Sequence, residues 1–136
     1  MAASPHRLTL RVYYEDTDLA GIVYYANYLK FIERARTEWV RELGVDQGTL
    51  KSEAGIVFAV RRVEVEYLRP ARFDDVIEVE TECMDCSAAK VVLAQRVLRD
   101  GVPLVDARVT VVALSDTGRP VRLPAVFRRA LEDTRR

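Results

Sequence analysis

A chain of 136 residues, 49% apolar and 31% charged, has the balance of a folded globular protein, long enough for one substantial core and too short for two. Acidic and basic residues number 21 each, so the basic excess that usually accompanies binding through nucleic-acid phosphates is missing. One histidine, His6, and two cysteines exclude a His-rich zinc site and a disulfide framework, and leave His6 as the only imidazole for a catalytic triad.

No apolar run approaches the roughly 20 residues of a bilayer span. The start, MAASPHRLTLRVYY, has no apolar signal-peptide core. A cytoplasmic protein with no integral membrane segment is therefore expected, and two cysteines suit a reducing compartment. All but three of the basic residues (Lys30, Lys51, Lys90) are Arg, whose planar fork also suits a phosphorylated small ligand.

Residues 7–14 alternate apolar with polar and predict a strand. After a polar turn the period changes at Tyr28: Leu29, Ile32, Ala35, Trp39, Val40 and Leu43 fall at helical spacing. Asn27 is the expected N-cap, and Gly44 stands where a helix ends in a left-handed residue. Trp39 on that stripe is expected in the core or at a dimer interface. Residues 45–55 predict a short helical turn closed by Gly55. Strands follow over Ile56–Leu68, Val76–Cys83, Val91–Leu98 and Leu104–Leu114, the last two joined by the hairpin signal Asp100-Gly101. Pro124–Glu132 predicts a terminal helix. One strand, a long helix and four consecutive antiparallel strands suggest an α+β single domain, 1–136, whose sheet wraps the helix and whose uncovered apolar area favours self-association.

The segment that carries chemistry is Tyr13-Tyr14-Glu15-Asp16-Thr17-Asp18-Leu19-Ala20-Gly21-Ile22-Val23-Tyr24-Tyr25-Ala26-Asn27-Tyr28. It places acids just ahead of a helix amino terminus, whose unpaired N–H groups and dipole can stabilise an oxyanion. A carboxylate beside them can act as nucleophile or as base for water. On spacing alone the plainer reading, an acidic turn facing solvent, stands first. Asp16, Asp18 and Gly21 match three places of a calcium loop, but Ala20 and Asn27 occupy its fifth and twelfth, which rejects an EF-hand. A magnesium site on Asp16 and Asp18 stays open on the residues alone, with no phosphate-cradling Gly-rich loop beside it, and the reading adopted here expects no metal.

The run Tyr-Tyr-Glu-Asp-Thr-Asp-x-x-Gly-x-Val-Tyr-x-x-x-Tyr-Leu from Tyr13 to Leu29 resembles the signature of the 4-hydroxybenzoyl-CoA thioesterase family. The likeness continues through Phe31-Ile32-Glu33-Arg34-Ala35-Arg36 and Glu66-Tyr67-Leu68-Arg69-Pro70-Ala71 to Asp74-Asp75. It is nearest to the branch of small acyl-CoA thioesterases associated with the Tol–Pal envelope system. The resemblance implies a hot-dog fold, a long central helix wrapped by a five-stranded antiparallel sheet, working as a homodimer or homotetramer. It implies hydrolysis of an acyl-CoA thioester, with acyl carrier protein as another possible carrier and no cofactor. By the same resemblance Asp18 falls on the catalytic carboxylate and the Tyr25 backbone N–H on the oxyanion donor. The branch typically has His at the place of Tyr25; a backbone donor survives that change. Ser87 and Lys90 fall where related proteins contact the nucleotide end of coenzyme A.

Against these stand plainer roles. Glu15, Asp16 and Thr17 are expected to serve the turn. Glu33 could reach the acyl end of a substrate or pair with Arg36 or Arg69. Ser87 and Lys90 could simply close a hairpin, and Arg61, Arg62, Arg128 and Arg129 are expected at the solvated surface. Cys83-Met84-Asp85-Cys86, read at a strand–strand turn, has neither the four ligands of structural zinc nor the helix start of a redox dithiol. Two competing functions remain: a hot-dog hydratase or dehydratase, which would need a well-placed His, and a non-catalytic acyl-thioester or protein-binding module.

Overall fold

The computed structural model describes residues 5–134, so the ends of the expected 1–136 domain, residues 1–4 and 135–136, lie outside the described residues. The elements run β1 (His6–Arg11), α1 (Asn27–Glu42), α2 (Gln47–Thr49), β2 (Ile56–Tyr67), β3 (Val76–Cys86), β4 (Lys90–Arg99), β5 (Val102–Ser115), β6 (Pro120–Val121) and α3 (Ala125–Thr134). A 3₁₀ turn at Tyr14–Asp16 shortens the strand expected over 7–14, and Leu50–Ala54 forms a wider π-type turn closed by Gly55 at φ 66°.

The sheet is antiparallel with spatial order β1-β3-β4-β5-β2, and β6 adds two residues against β5. This corrects two expectations. The sheet has a sixth, two-residue strand, too short to leave a periodic signal. The four strands after the helix are also not a plain meander, because β2 pairs with β5 at one edge instead of with β3. The segment 68–75 is too long for a tight hairpin and contains Pro70. It pairs with residues ahead of α1 through the Ile22–Arg72 bridge and carries the chain from one edge of the sheet towards the other. Asp100 (φ 51°) and Gly101 (φ 78°) make the β4–β5 hairpin as their left-handed conformations require.

Helix α1 packs on the inner face of β3 and β4 through Tyr28, Phe31, Ile32, Ala35, Trp39 and Val40, against strand residues such as Ile77, Val79, Leu93 and Val97. The apolar stripe begins at Tyr28; Leu29 points outward, 41% exposed. Asn27 is the first helical residue and not the N-cap: Ala26 holds that place, and the Asn27 amide donates to the Asp16 carbonyl (2.9 Å). Gly44 (φ 87°) ends the helix as expected. At this end α3 closes the core, with Phe127 against Trp39 (centroids 6.0 Å) and Phe58 (4.9 Å), which places Trp39 in the core. Cys83 to Cys86 lie on β3 itself, across a bulge, and not in the turn that follows.

All connections that matter to function fall at two ends. One end gathers the start of α1, the 12–24 loop, the 68–75 segment and the Tyr67–Val105 pairing. The other gathers the end of α1, α2, α3 and the β3–β4 turn.

Candidate active site

Residues 16–24 fold back on themselves as a small hairpin at the start of α1. Asp18 N–H donates to the Ile22 carbonyl (2.9 Å), Tyr24 N–H donates to the Asp16 carbonyl (2.9 Å), and Thr17 bridges Val23. Its tip turns on Gly21 (φ 79°), whose N–H donates to the Asp18 carbonyl (3.0 Å). Val23 N–H donates to the Ala71 carbonyl (2.9 Å), and Ala71 N–H in turn donates to the buried Tyr28 hydroxyl (2.9 Å). Burial pushes the Tyr28 phenol above its ordinary value, against the opposing pull of the Ala71 N–H.

A second tie is electrostatic. Asp75 accepts from Arg99 (2.6 Å) and from the Arg72 N–H (2.8 Å). Burial alone would raise this carboxyl, but the Arg72 N–H and the Arg99 guanidinium outweigh it and hold Asp75 below its ordinary 3.8. The 68–75 segment is thereby pinned to β4, and the hairpin to that segment.

Within this frame Asp16 is a turn acid: its carboxylate accepts from the Tyr13 N–H (2.8 Å), and the Thr17 hydroxyl donates to the Tyr14 carbonyl (2.8 Å). Glu15 is exposed. Asp18 is also exposed in the single chain; one carboxylate oxygen accepts from Ala20 N–H (2.9 Å) and caps the turn. Tyr25 follows the hairpin. Its carbonyl accepts from the Tyr67 hydroxyl (3.1 Å), while its N–H donates to no acceptor among the described residues. The structure thus puts Asp18 and Tyr25 on one hairpin, with an open N–H at the helix start, and no hydrogen bond joins the two among the described residues.

The other three candidates lie elsewhere. Glu33, two turns into α1, accepts from the Thr37 hydroxyl (2.8 Å) and ion-pairs with neither Arg36 nor Arg69. The Ser87 hydroxyl accepts from the Ala89 and Lys90 N–H groups (3.2 Å each), and Ser87 N–H donates to the Lys90 carbonyl (2.9 Å), so both residues close the β3–β4 hairpin. Lys90 pairs with Val112, whereas Tyr67 beside Tyr25 pairs with Val105. At about 3.3 Å per residue, that stretch of β5 puts roughly 23 Å between them. One chain does not bring Ser87 and Lys90 to Tyr25. Among the described residues no three His, Cys, Asp or Glu side chains gather to hold a metal ion.

Tyr67 is not singled out as a site residue from sequence, and Tyr28, like Tyr24, reads as core or interface packing ahead of an acyl-pocket wall. Tyr67 and Tyr28 both sit in the runs that carry the family resemblance, but their partners are 42 and 43 residues away, beyond any local pattern.

An antiparallel sheet curled on a long helix, with an acidic hairpin at the helix start, defines a hot-dog thioesterase. The chain belongs to the thioesterase-like superfamily, whose sequence profile matches residues 12–131. It is 42% identical over 123 residues to the acyl-CoA thioesterase YbgC of Haemophilus influenzae, covering 89% of this chain and 90% of that one. It is 43% identical over 109 residues to the acyl-CoA thioester hydrolase YbgC of Escherichia coli, covering 79% and 81%. Among solved structures, a probable thioesterase from Bartonella henselae superposes with a TM-score of 0.85 at 35% identity, covering 89% of this chain and all of that one.

Proposed function

We propose that this chain hydrolyses acyl-CoA thioesters to a free carboxylic acid and coenzyme A. Similarity to acyl-CoA thioesterases over most of the chain supports the activity. The observation that carries the mechanism is the open Tyr25 N–H at the helix start, on the hairpin that also bears Asp18. The thioester oxygen accepts from that N–H as negative charge grows on it. The Asp18 carboxylate takes a proton from water as the water adds to the carbonyl carbon, or adds itself to give an anhydride that water opens. By either route the C–S bond breaks, the sulfur leaves as thiolate, and a proton from water ends on it.

Such a carboxylate works best away from bulk water, and a single chain leaves Asp18 exposed. The uncovered face beside it supports a homodimer or homotetramer. β2 presents Val60, Val63 and Tyr67 in one row, each 41–45% exposed, and Tyr24, Tyr25, Leu68 and Phe73 surround the hairpin. In this reading a second copy covers Asp18. Glu33 then faces the acyl end, and Ser87 and Lys90 receive the nucleotide end of coenzyme A at the far reach of the substrate or in the neighbouring copy's site. Among the described residues no helix is long and apolar enough to cross a membrane; the reading places the enzyme in the cytoplasm, with acyl carrier protein as an alternative carrier. A hydratase is disfavoured because His6 pairs with Glu42 (3.0 Å), at the end of the sheet away from Tyr25.

The test is release of free thiol from acetyl-, hexanoyl-, palmitoyl- and benzoyl-CoA by purified protein. Asp18→Asn is expected to abolish release and keep the fold; undiminished turnover in that variant would remove Asp18 from the mechanism, and no release from any acyl-CoA would remove the activity.

A further inference from the structure

The turn that leads into α1 leaves one peptide group without a backbone partner. Tyr24 C=O accepts from Asn27 N–H (2.8 Å), and Ala26 C=O accepts from Leu29 N–H (3.2 Å). The Tyr25–Ala26 peptide between them makes no backbone hydrogen bond, and among the described residues Ala26 N–H has no acceptor. Its one tie is the Tyr67 hydroxyl, which donates to Tyr25 C=O (3.1 Å).

A peptide plane between two anchored neighbours can turn over by counter-rotation of the soft torsions on either side, while the flanking chain stays where it is. At a helix start the N–H groups point out of the amino end and the C=O groups point the other way. Ala26 has helical torsions (φ −69°, ψ −21°), so the peptide stands in that sense. Turned over, it would bring the Tyr25 carbonyl out beside the Tyr25 N–H. A partial negative charge would then face the oxygen on which negative charge grows during hydrolysis.

Tyr67 is itself firmly held. It ends β2 opposite Val105, and the next two residues, Leu68 and Arg69, both donate their N–H groups to the Leu104 carbonyl (2.8 and 3.1 Å). Its ring meets Tyr25 edge-on (centroids 6.0 Å, 89°) and leans on the buried Tyr28 (5.7 Å). Burial pushes the Tyr67 phenol above its ordinary 10.0, with Tyr25 adding to the shift, so the hydroxyl keeps its proton at neutral pH. A phenol has one hydrogen to donate; here the Tyr25 carbonyl takes it, and none is left for a substrate.

We infer that Tyr67 is a positioning residue for thioester hydrolysis: its hydroxyl latches the Tyr25–Ala26 peptide with C=O turned inward, so that the helix start presents N–H groups alone. The inference rests on the proposed hydrolysis at Tyr25, and adds to it a side chain of the sheet.

The test is steady-state hydrolysis of the acyl-CoA that the parent turns over fastest, alongside amide NMR of substrate-free protein. Tyr67→Phe removes the hydroxyl and keeps the ring. Its kcat should fall about tenfold with KM within about twofold of the parent, the pattern of an interaction that matters only as charge develops. Its melting temperature should stay within about 5 °C. The Ala26 amide, which turns with the latched peptide, should show exchange broadening that the parent lacks. p-Aminophenylalanine at position 67, whose amine donates in place of the hydroxyl, should restore both kcat and the sharp amide signal. Parent-like kcat in Tyr67→Phe, a loss carried by KM alone, an unchanged Ala26 amide, or no recovery with the amine would each overturn the assignment while hydrolysis by the parent stands. No thiol release by the parent would remove the hydrolysis reading itself, and this inference with it.

Discussion

The two ends of α1 are finished in opposite ways. At its carboxyl end α3 lies across the opening and buries Phe127 against Trp39 and Phe58. At its amino end the aromatic side chains stay outside: Tyr13, Tyr14, Tyr24 and Tyr25 are 46–82% exposed. Apolar area left in water at one end and removed at the other separates the end that stabilises the fold from the end available to substrate and to a second copy.

The sharpest way to break this contrast is at the open end. Asp18→Asn keeps an oxygen for the Ala20 N–H, so melting temperature should barely move, whereas thioester hydrolysis should fall by about a hundred- to ten-thousandfold. Phe127→Ala is the mirror experiment: loss of a fully buried ring should cost about 3–5 kcal/mol and roughly 10–20 °C in Tm, measured by thermal unfolding. A smaller loss would show that α3 covers the core without holding it.

Asp75 joins the two behaviours, since it pins the hairpin from beneath. Its carboxyl titrates below 3.8 in the folded chain, so its stabilisation is complete above that value and is withdrawn as pH falls through the lower folded-state one. Asp75→Asn should therefore cost about 2 kcal/mol at neutral pH, and its Tm should fall less steeply than the parent's below pH 3.8. Tyr67→Phe removes one half-exposed hydrogen bond and should cost about 1 kcal/mol or less. Smallest of all, Tyr25→Phe keeps the backbone N–H and should hydrolyse acyl-CoA close to the parent rate; a large loss would transfer the role from backbone to phenol.

Much of the fold was legible because it is written in local periods: the alternation of β2 to β5, the helical stripe of α1, the left-handed glycines at 44 and 55. The placement of β2 was not, since pairing with β5 or β3 leaves the same alternation in β2. The start of the stripe at Tyr28 instead of Leu29 depends on a hydroxyl that accepts from Ala71, which no spacing within the helix reveals. In the candidate site, Asp18 and Tyr25 are singled out through a contiguous motif, and the structure puts them on one hairpin. From sequence Arg36 is only a possible partner of Glu33, because its actual partner Gln95 lies on β4, 59 residues along the chain.

The 14-residue strand β5 is paired on both sides, with β4 and then β6 along one edge and with β2 along the other. Its amide protons from Val105 to Val112 are expected to exchange more slowly than those of the loops at the sheet's ends. Those of the hairpin around residue 18 are released by a local opening. In the proposed mechanism the chemistry is therefore carried by a short, locally opening hairpin attached to a sheet whose central strand is paired on both sides.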